Sequence, residues 1–380
     1  MWLSAEVCVR TEFGPGVVAD LPAHIASLGH SRAFVVTDRE LRATGIVQRV
    51  EKVLAAADVD HTVYEDIGPN PPTDELDAGS LRLRQFGAGA VIALGGGSAL
   101  DAAKGISLLA GNPGAVAADA DALWDAAPGL PVIAVPTTAG TGAETNGFGV
   151  VEDTRAHSKV YIGHYSVRPR IAVLDPELTV GLPGRMTAAS GIDVLAHGIE
   201  SLASRNANPL SRAYATQAIT MVGQWLQAAY RDGTDLEARG QMMLGAHLAG
   251  HAMTLSGLGL VHGIGHALTA HAGIPHGVAV AAVLAEVMAF TAPAASAAYE
   301  TTARALRVTP ADDDWPGAAI DAVRRLTEAI EIRRPLRDLG VERAHLPAIA
   351  SAAVTDAITR NAPRQPSDAQ VLSLLQAVYD

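Results

Sequence analysis

Ala90-Val-Ile-Ala-Leu94 runs without interruption into Gly95-Gly96-Gly97-Ser98, and the helix expected after it carries Asp101 and Lys104. A short apolar run bounded by glycine predicts a strand buried on both faces. Glycines at its end allow a tight turn and let a backbone come close to a pyrophosphate. The same alternation extends both ways. Upstream, Ala33-Phe-Val-Val-Thr37 reads as a buried strand ending at Asp38, followed by a helix from Ile46 to Ala57 and a strand from His61 to Tyr64. Asn70-Pro71-Pro72 is a stiff loop, and Thr73, Glu75 and Asp77 open another helix. At the start, Val7 to Arg10 reads as a strand and Leu21 to Leu28 as a helix. Downstream, Pro131-Val-Ile-Ala-Val135 leads into Pro136-Thr-Thr-Ala-Gly-Thr141-Gly-Ala-Glu144, and strands follow at Val160–Ile162 and Ile171–Leu174. Strand and helix alternating through short loops predict an α/β domain with a Rossmann-like, mostly parallel sheet covered on both faces.

Past Ile171–Leu174 the patterns change. Asp175-Pro176 and Leu182-Pro183-Gly184 break the chain, and only helical spacing follows. The boundary is expected near Thr179, giving an α/β domain over residues 1–178 and an all-helical domain over 179–380. Helices are expected at Met186–Ser204, Pro209–Tyr230, Leu236–Met253, Gly259–Ala270, Val278–Phe290, Pro293–Leu306, Pro316–Ile330, Leu346–Ile358 and Asp368–Tyr379.

Bulk properties narrow the function. The chain has 380 residues, 49% hydrophobic and 18% charged, which suits a well-buried globular enzyme. Net charge is −12 with no basic block, which argues against nucleic acid or an anionic membrane as partner. The single Cys8 excludes an internal disulfide framework and fits a reducing cytoplasm. The start has no apolar signal-peptide core, and the apolar stretch from Gly277 to Phe290 is too short to span a bilayer.

Three polar tips are expected where ligands bind in such sheets, beyond the carboxyl ends of the strands. They are Asp38, the loop Gly95, Gly96, Gly97 and Ser98, and the threonines Thr137, Thr138 and Thr141. Asp38 can accept hydrogen bonds from an adenosine ribose and would repel a 2′-phosphate, which favours NAD over NADP; it can equally cap the next helix. The glycine loop can cradle a phosphate or simply make a turn. The threonines can touch cofactor or satisfy their own turn. Lys159 can reach a phosphate or ribose, or stay solvated.

The helical half carries four imidazoles in fifteen residues: His262, His266, His271 and His276. Asp193 and His197 stand four apart in a helix with apolar residues nearly all round, and share a face with Glu200 and Ser204. Buried ionisable groups at this spacing point to a cation held by Asp193, His197 and His262, with His276 either a further ligand or a turn histidine bonded to backbone. One oxygen and three nitrogen donors without sulfur suit Fe2+ or Zn2+ and leave room for a substrate oxygen. His247, His251 and His271 lack the same spacing and read as packing or pocket residues.

The combination resembles the iron-containing (group III) alcohol dehydrogenase family. Its carriers are Asn70-Pro71, Gly95 to Ser98 with Asp101 and Lys104, Pro136 to Glu144, Gly191-Ile-Asp193-Val-Leu-Ala-His197-Gly-Ile-Glu200, Gly257 to His266, Pro275-His276-Gly277, and Asn361-Ala-Pro-Arg364. The resemblance covers essentially the whole chain. It implies a metal-dependent NAD(H) oxidoreductase interconverting an alcohol with its aldehyde or ketone, the site lying in a cleft between two domains. It implies Asp193, His197, His262 and His276 as metal ligands and His266 as a non-ligand imidazole beside the nicotinamide; His266, or water with His266, is expected to relay the proton. Asp38, Gly95 to Ser98, Thr137, Thr138, Thr141 and Lys159 correspond to cofactor contacts. Phe148, Met253 and Leu255 depart from the family's usual residues and are expected to line the substrate pocket. A homodimer or larger assembly is expected by the same likeness. Alternatives within the superfamily are a maleylacetate-reductase-like or glycerol-dehydrogenase-like enzyme, or a dehydroquinate-synthase-like cyclase; the last needs a basic pocket that the residues around Asp193 and His262 do not supply. A metal-storing protein with a vestigial nucleotide domain would bind metal yet oxidise no NADH.

Overall fold

The computed structural model of the chain describes residues 7, 9–153 and 158–380. Cys8 lies outside them. The chain divides into two compact units: the first runs to Thr138 and resumes over Gly142–Gly181, and the second holds Ala139–Thr141 and Leu182–Asp380.

In the first unit the strands are β1 (Arg10–Phe13), β2 (Arg32–Val36), β3 (Asp60–Tyr64), β4 (Ala90–Gly95), β5 (Val132–Pro136), β6 (Phe148–Asp153), β7 (Ser158–Gly163) and β8 (Ile171–Leu174). Six of them form one sheet in the order β3-β2-β4-β5-β8-β1, and every neighbouring pair is parallel. The helices are α1 (Leu21–Ser27), α2 (Arg39–Ala43), α3 (Ile46–Ala56), α4 (Thr73–Phe86) and α5 (Gly97–Gly111).

Alternation along the strands builds two cores. Phe34, Val91, Ala93 and Val132 pack with Leu76, Leu83, Leu100 and Ile106 of α4 and α5. Val35, Ile92, Leu94 and Ile133 face the other way, onto Ile25, Val47, Val50 and Leu54 of α1 and α3. Each Val, Leu, Ile or Phe among them contributes about 1.5–3 kcal/mol on burial. Burial on both faces is why these strands read as continuous apolar runs.

One local expectation is corrected here, and two details are added to others. The first strand begins at Arg10 rather than Val7 and pairs with β8 from Arg10↔Ile171 to Phe13↔Leu174. The short α2 follows directly from Asp38. The strand expected at Val160–Ile162 is the second half of an antiparallel pair with β6, which the sequence reading missed.

The second unit contains α6 (Gly184–Ala203), α7 (Pro209–Arg231), α8 (Leu236–Ser256), α9 (Leu260–Ala272), α10 (His276–Ala305), α11 (Trp315–Ala329), α12 (Leu346–Thr355) and α13 (Asp368–Ala377). The expected break between Phe290 and Pro293 is absent: α10 continues for 30 residues, with its distortion at Ala295 (φ −133°, ψ 22°). Pro293 removes one amide, as expected. The Thr291 hydroxyl meets Val287 O at 2.8 Å and the Tyr299 hydroxyl at 2.5 Å, which ties the turns on either side of the kink together. The unbroken helix is thereby long and apolar enough to cross a membrane, contrary to the reading of Gly277 to Phe290 alone. In this fold it packs against α6, α9 and α11, with 61% of its most apolar window buried. Finally, α12 stops at Thr355 rather than Ile358, and Asp356 opens a separate 3-10 turn, Ala357–Asn361.

Candidate functional site

Asp193 sits mid-way along α6 and is 4% exposed. Its Oδ1 lies 3.4 Å from His262 Nε2, 3.5 Å from His276 Nε2 and 3.7 Å from His197 Nε2. These separations are too long for good hydrogen bonds. Two donors each ~2.1 Å from one ion at a tetrahedral angle stand about 3.4 Å apart. The ligand atoms of Asp193, His262 and His276 all fall within 4.8 Å of one another, and His197 joins them through Asp193 while stacking on His262 at 4.7 Å. Asp193 Oδ1 and His262 Nε2 are buried without a hydrogen-bond partner among the described residues. Such atoms are costly unless something fills the gap, and a divalent cation does so. The donor set therefore fits a metal ion.

The charges are set by this crowding. Burial works against the Asp193 carboxylate, but the histidines around it hold its pKa well below the usual range. Burial pushes His197 down to about 4, with only partial opposition from Asp193. Burial also opposes a charge on His262, yet the neighbouring carboxylates of Asp193 and Glu200 hold it up at about 9.

Glu200 is a partner that the sequence reading left without a role. It lies one turn beyond His197 on α6 and accepts the His262 Nδ1–H at 2.6 Å. It also accepts the backbone N–H groups of Gly259 (3.1 Å) and Val261 (2.7 Å). One carboxylate thus satisfies the open N-terminus of α9 and fixes the ring of His262, leaving Nε2 for the ion. The two glycines between His262 and His266 are explained by close approach. A Cβ at position 263 would overlap the Thr359 hydroxyl and stand 3.0 Å from Ala353 O; one at 265 would meet His276 Cε1 at 3.3 Å. The 3-10 turn and the start of α10 lean into these two recesses.

His266 is one turn past His262 and 5.4 Å from His276, ring to ring. Its Nδ1 lies 2.9 Å from Asp356 Oδ2, a second partner absent from the sequence reading. Burial lowers the pKa of His266 against the pull of Asp356, and Asp356 is held low by His266 despite burial. His247 and His251 share a hydrogen bond at 3.2 Å on α8, away from the ligand spacing, and His271 is exposed.

In the sheet unit, the direction of strand order reverses between β2 and β4. This is the position where open α/β sheets bind their ligands. Asp38 follows β2, and Gly95 to Ser98 run from the last residue of β4 into the first turn of α5. Asp38 Oδ1 caps α2 by accepting Leu41 N–H at 2.7 Å, while Oδ2 faces Gly95. Both readings of this residue are therefore compatible with its geometry. Gly95 has φ +148°, a conformation only glycine adopts easily. The N-cap Gly96 provides no side-chain cap for α5, so its first amides are open to an anion. Thr137 donates its N–H to Gly95 O at 2.9 Å, and Thr138 borders Gly96. Thr141 groups with the helical unit. Lys159 Nζ bonds Asn70 Oδ1 at 2.6 Å, and burial lowers its pKa.

Behind the loop, Lys104 is fully buried and donates to Asp101 (3.2 Å), Asn146 (2.9 Å) and Phe148 O (2.6 Å). Asp101 also accepts Val150 N–H at 3.0 Å, so α5 pins the β6–β7 pair. Burial lowers the Lys104 pKa. Phe148 is partly exposed at the start of β6, and Met253 and Leu255 are partly exposed near the end of α8.

Two family profiles match nearly end to end: "Iron-containing alcohol dehydrogenase" over residues 8–176, and "Fe-containing alcohol dehydrogenase family, C-terminal" over residues 187–379. The chain is 37% identical over 364 residues to "Probable alcohol dehydrogenase EutG" of Escherichia coli (strain K12), spanning 96% of this chain and 91% of that protein. The crystal structure of a 1,3-propanediol oxidoreductase is similar with TM-score 0.95 at 30% identity, covering 100% of both chains. That of sulfoacetaldehyde reductase from Bifidobacterium kashiwanohense in complex with NAD+ is similar with TM-score 0.90 at 28% identity, covering 100% of this chain and 99% of the other.

Proposed function

The chain belongs to the iron-containing alcohol dehydrogenase family, and from that premise we propose how its own residues divide the work. It is an NAD-dependent alcohol dehydrogenase, interconverting an alcohol with its aldehyde or ketone. Asp193, His197, His262 and His276 hold one divalent cation, Fe2+ or alternatively Zn2+. The observation that carries this assignment is the spacing of Asp193 Oδ1, at 3.4, 3.5 and 3.7 Å from three imidazole nitrogens.

When bound, the cation supplies a Lewis acid that lowers the pKa of an alcohol or polarises a carbonyl. When bound, NAD supplies the carbon that takes or gives the hydride. Asp38 receives the adenosine ribose hydroxyls and disfavours a 2′-phosphate. Gly95, Gly96, Gly97 and Ser98 receive the pyrophosphate at the start of α5. Thr137, Thr138, Thr141 and Lys159 add polar contacts to the cofactor. His266 takes up, at Nε2, the proton that the alcohol loses, and returns it in the reverse direction.

Phe148, Met253 and Leu255 line the substrate pocket. The relatives are named for 1,3-propanediol and sulfoacetaldehyde, which supports a small aliphatic substrate. The enzyme works as a homodimer or larger homo-oligomer in the cytoplasm, without nucleic acid or membrane as partner.

The test strips the protein with chelator, refills it separately with Fe2+ and Zn2+, and screens NADH and NADPH oxidation over small aldehydes, ketones and maleylacetate. Cation-dependent NADH oxidation with a small aldehyde is expected. Metal binding without NADH oxidation on any carbonyl would overturn the assignment, and preference for maleylacetate without cation dependence would redirect it.

A further inference from the structure

We propose that Asp356 is a positioning residue for proton transfer: its carboxylate holds His266 as the Nδ1–H tautomer, leaving Nε2 bare to receive the proton of the alcohol. The inference rests on the oxidoreductase reading above and assigns a task to a residue outside the ligand set.

The geometry is specific. Asp356 Oδ2 lies 2.9 Å from His266 Nδ1. An ionised carboxylate only accepts, so the hydrogen in this bond belongs to the ring. His266 Nε2 has no hydrogen-bond partner among the described residues, and the side chain is 19% exposed, open enough for a proton to leave. The ring lies beside His276 at 5.4 Å and edge-on to His262 at 6.3 Å, on the ligand side of α9.

Asp356 is itself fixed from several directions. Its amide donates to Ala352 O at 3.0 Å and closes α12. Its Oδ1 accepts Ile358 N–H at 3.0 Å and opens the 3-10 turn. The Thr359 hydroxyl ties that turn back to Ala353 O at 2.7 Å, and the same hydroxyl occupies the recess left by Gly263. One oxygen therefore holds the turn while the other is aimed at the ring. A residue needed only as a cap would not require the second oxygen to meet an imidazole 90 positions away.

The proton balance is closed. Oxidation of an alcohol to its carbonyl releases a hydride to the nicotinamide and a proton to His266 Nε2. The ring becomes imidazolium while its Nδ1–H stays on Asp356, and Nε2 then gives its proton to water. The reverse reaction runs the same transfers backward.

Asp356→Asn separates the two tasks. The amide oxygen can still cap Ile358 N–H, but an N–H donor now faces Nδ1, so a neutral ring must carry its hydrogen on Nε2. The first readout needs no turnover: 15N NMR of histidine-labelled, metal-free protein should show His266 as Nδ1–H in the wild type and Nε2–H in the variant. In the Fe2+-loaded enzyme, Asp356→Asn should lower kcat about 10- to 100-fold, with metal content and substrate KM near wild type. The double variant with His266→Gln should be no slower than His266→Gln alone, because Asp356 acts through that ring. Asp356→Ser, which can also cap the turn, serves if the amide variant does not fold. An Nε2–H wild type, unchanged kcat, or losses that add in the double variant would overturn the proposal. Absence of NADH oxidation by the wild type would sink the parent reading instead, and the tautomer measurement would still decide whether Asp356 sets the ring.

Discussion

Glu200 Oε2 lies 2.6 Å from His262 Nδ1, and the same carboxylate accepts the amide of Val261 one residue earlier. The helix start and the ring it carries are therefore aligned by a single side chain. Replacing Glu200 by Gln keeps an acceptor but removes the charge that makes the ring a strong donor to a cation. Cation affinity should fall about 10- to 100-fold, measured by competition with a chelator of known strength. An unchanged affinity would show that the carboxylate serves α9 alone.

His262→Ala removes the nitrogen with the shortest approach to Asp193 Oδ1. The variant should be purified without stoichiometric metal and should oxidise no NADH, while still binding NAD. Metal analysis and a cofactor titration check the two halves separately. Retained metal with full turnover would end the ligand assignment.

The pH dependence of cation binding follows from the same ring. Metal-free His262 is held up at about 9, so near neutral pH a cation must displace its proton. His197, pushed down to about 4, is already neutral there. About one proton should leave per cation bound at pH 7, and affinity should rise about tenfold per pH unit toward pH 9 and then level off. Calorimetry in buffers of different ionisation enthalpy counts that proton. The sign for folding is opposite. A pKa raised above the unfolded value stabilises the metal-free protein fully below about 6.5, and this contribution is lost as pH rises through about 9.

Asp38 caps α2 with one oxygen and leaves the other toward Gly95. Asp38→Asn retains a good cap, so the unfolding midpoint should hold. It removes the charge that repels a 2′-phosphate, and the NADPH-to-NADH preference should rise about tenfold, equal to ~1.4 kcal/mol of differential binding. Steady-state kinetics with both cofactors give the ratio. No change would leave Asp38 as a cap only.

Lys104→Met strips the donor from Asp101, Asn146 and Phe148 O at once. Breaking a buried ion pair from one side costs about 3–5 kcal/mol, so the urea midpoint should drop sharply. A double change that also neutralises Asp101 should recover part of the loss. A midpoint equal to wild type would mean that the ammonium is not needed to hold β6.

The parallel sheet was legible because strands such as Ala90–Leu94 are buried on both faces and show it as unbroken apolar runs. The helical half was legible through its glycine, proline and apolar spacing. The β6 strand was not, although alternate residues from Gly149 to Asp153 turn inward; Gly149 and the flanking polar residues hide that period. The continuity of α10 past Pro293 depends on Thr291 and Tyr299 meeting across the kink, which no local rule contains. Glu200 and Asp356 were missed as partners for one reason. Their rings lie 62 and 90 positions away along the chain, and spacing rules see only one helix at a time.

The two recesses at Gly263 and Gly265 have a consequence for protein engineering. A His-x-x-x-His pair copied onto a foreign helix would carry the nitrogens but neither Thr359 nor His276 seated beside them. The centre is not portable as a short segment. A successful transplant would have to move α6, α9, α10 and α12, with the 3-10 turn that follows it, as one block.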